Sequence, residues 1–254
     1  MQRVGHRAVR AIAAAFLAGA CAAAIAAQTG APGAPGECVA QPPAATTPDY
    51  LRSIAALDDA LGVPRDYANA NVLPPEPVAS VLVDAGRDVR GRTVRLAPAA
   101  SAAWRAMVAA AARDEVVLRL VSGYRSPDYQ ARLLRAKLHG GMDIESALRV
   151  NAAPGYSEHQ TGCAVDLTTP GIAPAQAAFA GKRAYRWLRL HAGEYGFHLS
   201  YPAGNIHDIE FEPWHWRYIA SVPPAAPETT PPLPPAATSA LPPPSNAANG
   251  EDGH

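Results

Sequence analysis

From Ser221 to His254 the chain reads SVPPAAPETTPPLPPAATSALPPPSNAANGEDGH, with almost no large apolar side chains. Such a stretch cannot bury enough surface to offset the entropy of ordering its backbone, and its prolines favour the polyproline II conformation. A disordered tail is expected there. Gln28 to Pro48 is similarly rich in Pro, Gly and Ala, which is the composition of a linker. Whatever core this chain builds must therefore come from Asp49 to Ala220, the length of one domain.

The first residues carry Arg3, Arg7 and Arg10 ahead of an Ala-rich apolar run from Ala11 to Ala27. A positive start, a short apolar stretch and small residues at Ala24 to Ala27 together predict a secretory signal peptide over residues 1–27. An uncleaved anchor helix is the alternative, against which the run is short and rich in small residues. Cys21 in LAGAC has some likeness to a lipoprotein acylation site, although its leucine stands one residue too far upstream. Export to the periplasm or cell envelope is the expectation, with no stable membrane span once the signal is cleaved. Cleavage near Ala26 or Ala27 leaves Cys38 and Cys163. An oxidising compartment would allow them to pair, but sequence supplies no distance, and Cys163 in a strand-like run fits a small buried hydrophobe equally well. The formal net charge is zero, so the chain lacks the basic excess that a nucleic-acid binder needs to displace counterions.

Within the core stretch, Trp104, Met107, Val108 and Ala111 recur at helical spacing after Pro98, predicting a helix over Leu96 to Asp114. A second helix is expected after Ser126, an N-cap residue followed by Pro127, and should stop at Gly140. Further helices are expected in MDIESALRVNA and from Gly181 to Gly196. VVLRLVSG, CAVDLTT, FHLSYP and HDIEFEPWHWRYI have the composition of strands. The mixture lacks a βαβ rhythm, so an α+β fold is predicted, a small antiparallel sheet flanked by helices.

Two segments carry the chemistry. GYSEHQTGCAVDL runs from Gly155 to Leu167, and EFEPWHWRY from Glu210 to Tyr218. A serine nucleophile is disfavoured: the nucleophile elbow requires G-x-S-x-G, and here His159 stands where the last glycine belongs. A metal site fits better. On a strand, Asp166 shares a face with Ala164 while Val165 and Leu167 take the other. A carboxylate there would be costly unless a cation compensated it. His159, Asp166 and His215 supply the imidazole and carboxylate donors that zinc accepts, leaving a fourth position open. Glu212, three residues before His215, is placed to act as general base, with Pro213 fixing the local backbone and Trp214 and Trp216 available to wall off water. His139, His191, His198 and His207 are assigned to no site.

SEHQTGCAVDL followed by EPWHWRY resembles the zinc D-alanyl-D-alanine carboxypeptidases of the VanY type, relatives of VanX dipeptidases and of hedgehog domains. The family pattern is S-x-H-x-x-G-x-A-x-D, then E-x-W-H. Ser157, His159, Gly162, Ala164, Asp166, Glu212, Trp214 and His215 match it, and SGYRSPDYQ upstream is also similar. The likeness runs from about Leu96 to Ile219. It implies a hedgehog/D-Ala-D-Ala peptidase-like domain in which His159, Asp166 and His215 hold Zn2+ and Glu212 activates a zinc-bound water. It further implies that Arg125 stabilises the oxyanion, and that Gln130, Ser157, Tyr124, Tyr156, Tyr201 and Trp214 contact substrate. The expected substrate is the peptidoglycan stem peptide, trimmed of its terminal D-alanine by a monomer. The alternatives are an L,D-carboxypeptidase, a cell-wall endopeptidase and a catalytically silent wall-binding module. An intact Glu212 speaks against the last, since a binding module needs no general base.

Overall fold

The structure, a computed structural model, describes Cys38 and residues 47–219. The expected signal peptide, most of the expected linker and the Pro-rich tail lie outside the described residues. The chain runs α1 (Pro48–Asp59), α2 (Tyr67–Ala70), β1 (Val83–Arg87), β2 (Thr93–Leu96), α3 (Pro98–Arg113), β3 (Arg119–Ser122), α4 (Pro127–His139) and α5 (Ile144–Arg149). A 3-10 turn (Glu158–Thr161) then leads into β4 (Ala164–Thr168), α6 (Arg183–His191), β5 (Phe197–Leu199) and β6 (His215–Tyr218). β3, β4, β6 and β5 form, in that order, a four-stranded sheet whose pairings are all antiparallel. The α+β expectation holds.

Local signals explain the helix starts. The Thr47 side chain accepts from the Tyr50 amide, and Ser126 does the same for Tyr129, each ahead of a proline at the first helical position. α3 buries Ala100, Trp104, Met107 and Ala111 on one stripe. The helix lies against β1, β2 and the turn at Ala192–Tyr195, and its buried stripe shares one apolar cluster with Val165, Leu167 and Trp216 of the sheet and with Leu118 and Leu120. Burying a side chain such as Met107 contributes about 1.5–3 kcal/mol. A second cluster gathers Leu61, Val63, Tyr67 and Leu73 with Ala131 and Leu134 of α4 and Ala147 and Leu148 of α5.

Several elements differ from expectation. The stretch Gly181 to Gly196 divides into α6 and a 3-10 turn at Ala192–Tyr195, ending at Gly196 with φ +76°. The expected strand from His207 to Ile219 shrinks to His215–Tyr218. Asp208 has a positive φ, and Pro213 has no N–H to give a ladder, so the first half is loop. FHLSYP keeps only Phe197–Leu199 as strand. The β1–β2 hairpin had no expectation at all. Cys163 lies one residue before β4 and is joined by a disulfide to Cys38, so the open question of their pairing closes in favour of a bridge, from within the stretch expected to be linker.

Candidate active site

Strand alternation sorts β4 and β6 into two faces. Val165, Leu167 and Trp216 enter the apolar cluster. Asp166 and His215 point the opposite way, and the β4–β6 register sets them directly opposite each other. The third member, His159, arrives on the 3-10 turn before β4. That turn ends at Gly162, whose φ is +71° and whose carbonyl accepts from the Ala97 amide at 2.9 Å. A Cβ on Gly162 would stand 2.8 Å from the Ala97 nitrogen, so only glycine fits the bend that aims His159 back at the sheet.

His159, Asp166 and His215 are all buried and each offers a ligand atom within 4.8 Å of the others. His159 Nε2 lies 3.3 Å from Asp166 Oδ1, and His215 Nδ1 lies 3.1 Å from the same oxygen. Zinc bonds of about 2.0–2.2 Å in a tetrahedron separate ligand atoms by about 3.4 Å, so these spacings suit one small divalent cation. His159 Nδ1 sits 2.7 Å from the Gly123 carbonyl, to which it donates, so the lone pair is left on Nε2. That Nε2 is buried and makes no hydrogen bond. An imidazole nitrogen held in this way, with a carboxylate beside it, is what a cation would satisfy.

The electrostatics agree with the geometry. Burial first, and the Arg125 guanidinium second, hold His159 down to about 4, which keeps it neutral and able to coordinate. Burial pushes the Asp166 carboxyl up, but His159, His215 and Arg125 outweigh it and keep Asp166 well below the usual carboxylate range. Burial likewise pulls His215 down, yet hydrogen bonds to Asp166 and Glu158 carry it up to about 10 in the metal-free protein. A cation at Nδ1 would take the place of that proton.

Glu212 sits beside this cluster, its Oε2 3.9 Å from His215 Nδ1. Its amide donates to the Tyr201 carbonyl and its own carbonyl accepts from the His215 amide, fixing the turn around Pro213. Burial raises the Glu212 carboxyl to about 7, and the nearby Asp166 and Glu158 charges add to the shift. Arg125 enters from the end of β3, its Nη2 3.9 Å from Asp166 Oδ2 and its Nε buried without a hydrogen bond.

The remaining expected residues fall into two groups. Tyr124 and Arg125 line a cavity of about 200 Å3 with Arg95 and Tyr129. Tyr156 is half-buried, its ring edge-on to Tyr67, and Ser157 is buried beside it. Gln130 is buried, its Nε2 donating to the Ala152 carbonyl at 2.8 Å. Tyr201 is buried with its ring 4.9 Å from that of His215. Trp216 lies inside the apolar cluster and Trp214 packs against it, so both tryptophans brace the site from the core side. Among the described residues, His139, His191, His198 and His207 are outside the metal-capable group. Sequence reading passed over Glu158, Arg217 and Glu76. Glu158 stands between two motif residues, and Arg217 shares the His215 face of β6 by alternation, so both had a signal. Glu76, in a Pro-rich stretch, had none.

The profile of the VanY family, described as D-alanyl-D-alanine carboxypeptidase, matches residues 93–221. A D-alanyl-D-alanine carboxypeptidase of Enterococcus faecalis (strain ATCC 700802 / V583) is 33% identical over 120 residues, which is 43% of this chain and 43% of that protein. The bifunctional D-Ala-D-Ala dipeptidase and D-Ala-D-Ala carboxypeptidase VanXYC of Enterococcus gallinarum is 32% identical over 134 residues, covering 50% of this chain and 68% of that one. Among solved structures, the LdcB LD-carboxypeptidase superposes with a TM-score of 0.52 at 31% identity, covering 58% of this chain and 72% of its own. The chain thus spans less than half the length of the first of these relatives and about two thirds of the other two.

Proposed function

The chain belongs to the VanY family of D-alanyl-D-alanine carboxypeptidases, and on that premise we propose that it is an exported zinc carboxypeptidase removing the C-terminal D-alanine from peptidoglycan stem peptides. The observation that carries the reading is the buried His159–Asp166–His215 cluster with the Glu212 carboxylate 3.9 Å from one of its ligand atoms.

His159 would hold the metal through Nε2, His215 through Nδ1 and Asp166 through a carboxylate oxygen. Zinc bound there supplies a Lewis acid that polarises water and the scissile carbonyl. Glu212 accepts the proton of the attacking water and returns it to the leaving amine. A carboxyl raised to about 7 by burial is matched to that exchange, since it can take up and release a proton near neutrality. Arg125 offers guanidinium donors to the oxyanion that develops at the carbonyl; among the described residues its buried Nε has no hydrogen-bond partner. Tyr124 lines the cavity that Arg125 also lines, and Ser157 is buried two residues before His159. Gln130 and Tyr201 are buried and support it, Gln130 by holding the Ala152 carbonyl.

Export follows from the Arg-led, Ala-rich start of the chain and from the substrate's location. Among the described residues no helix is long and apolar enough to cross a membrane. The fold likeness to an LD-carboxypeptidase keeps the tetrapeptide in view as an alternative substrate. Incubation of the purified, zinc-loaded protein with muropeptides ending in D-Ala-D-Ala, and separately with tetrapeptide muropeptides, tests the reading by the mass of the products. Loss of one alanine from the pentapeptide is expected. Loss from the tetrapeptide alone identifies an L,D-enzyme, and no loss from either contradicts the carboxypeptidase assignment.

A further inference from the structure

We infer that Glu76, Arg217 and Glu158 form a positioning relay that presents His215 Nδ1 to the metal, so that a segment outside the family-matched region is a working part of the metal centre. The inference rests on the metal reading given above.

The relay is traced through hydrogen bonds. His215 Nε2 lies 2.8 Å from Glu158 Oε2, which also accepts from Ser200 Oγ at 2.6 Å. Glu158 Oε1 accepts from Arg217 Nη1 at 3.0 Å. Arg217 grips Glu76 with both terminal nitrogens, Nη2 reaching Oε2 at 3.0 Å and Nη1 bonding Oε1. The four side chains are enclosed, with relative exposures of 3% for His215, 12% for Glu158, 17% for Arg217 and 11% for Glu76.

A neutral imidazole has one N–H. A carboxylate facing Nε2 holds the proton there and leaves the lone pair on Nδ1, the nitrogen that faces Asp166 and Glu212. Glu158 can do this only while it keeps negative charge towards His215. Arg217 alone would draw that charge to itself. Glu76 takes up the second edge of the guanidinium, so the three groups together carry one net negative charge beside the imidazole. A carboxylate behind a histidine also makes it a stronger donor to a cation on its far side.

Glu76 is itself held in register with the turn that carries His159. Its amide donates to the Gly155 carbonyl at 2.8 Å, and its carbonyl accepts from Tyr50 Oη at 2.9 Å and from Gln160 Nε2. Three residues on, the Ala79 amide donates to the Gln160 carbonyl at 2.8 Å. The family profile begins at residue 93, so this contribution comes from a part of the chain that the family pattern does not describe.

The test is the zinc dissociation constant, measured by competition with a chelator of known affinity on wild type, E158Q and E76Q. Each protein's metal-free thermal midpoint is recorded alongside. Substitution of a partner behind a metal-bound histidine costs about 10- to 100-fold in metal affinity. E158Q should fall in that range and E76Q should lose affinity by a smaller factor, being three contacts from the histidine. A residue that only supports the fold would lower the metal-free midpoint and leave the dissociation constant unmoved. Zinc affinity within twofold of wild type in folded E158Q would overturn the relay, and the same result in folded E76Q would remove Glu76 from it. If E158Q does not fold, E76Q carries the test. A wild-type protein that binds no zinc would defeat the metal reading itself, which separates that failure from failure of the relay.

Discussion

Asp166 and His215 face each other across adjacent antiparallel strands, Oδ1 to Nδ1 at 3.1 Å. The sheet, not a loop, fixes their separation. Two of the three proposed ligand atoms are thus set by backbone register, and a site built on rigid strands keeps its geometry without the metal.

His159→Ala or His215→Ala should abolish stoichiometric zinc. Each removes one of three donors from a site that the wild type should fill with about one zinc per chain. Elemental analysis after dialysis checks this. Full zinc in either variant would show that the metal lies elsewhere.

As the proposed base, Glu212 should set the acid limb of the pH profile. Its carboxyl stands at about 7 in the metal-free protein, raised by burial. A base must be deprotonated to act, so kcat/KM should rise with pH and level off above that limb. A divalent cation nearby favours the carboxylate, placing the limb at or below about 7 in the loaded enzyme. An acid limb that persists unchanged in Glu212→Asp and in Glu212→Gln would belong to another group.

The Cys38–Cys163 bridge closes a sequence separation of 125 residues. Bridges over long loops typically contribute about 2–4 kcal/mol, largely by restricting the unfolded chain. Cys38→Ser should lower the thermal midpoint, and a reductant should lower it in wild type but not in the variant. Thermal scans with and without reductant report it. A wild-type midpoint insensitive to full reduction would contradict a stabilising role.

Gly123→Ala should damage both stability and metal binding. A Cβ there would meet Val94 Cγ1 at 2.5 Å and the Arg95 carbonyl at 2.9 Å. The Gly123 carbonyl is also the partner of His159 Nδ1. Overpacking of this kind costs about 1–3 kcal/mol. Chemical denaturation and zinc titration measure the two effects.

Much of this was legible beforehand, for identifiable reasons. The helix after Ser126 announces itself by cap and proline, and α3 by its stripe of Trp104, Met107 and Ala111, whereas α1 had no expectation although Thr47 and Pro48 carry the same signal. The side of β4 that carries Asp166 followed from alternation with Val165 and Leu167. The β1–β2 hairpin did not follow, because Asp88 to Gly91 turns without the usual two-residue signal. The long expected strand before His215 failed because aromatic and β-branched residues there serve a loop around Pro213. Glu76 was invisible for a deeper reason: its partner Arg217 is 141 residues away, and no local pattern encodes a long-range ion pair. The same holds for the bridge from Cys38.

The account turns on Glu212 as the base beside a metal held by His159, Asp166 and His215. Glu212→Gln keeps the side chain's shape, is not a ligand, and removes only the proton acceptor. General acid–base groups contribute roughly a hundred- to ten-thousand-fold, so release of terminal D-alanine should fall by about that factor or more while bound zinc stays at the wild-type level. The measurement is D-alanine released from a pentapeptide muropeptide by both proteins, with zinc assayed in the same samples. Equal release at equal zinc would contradict the account.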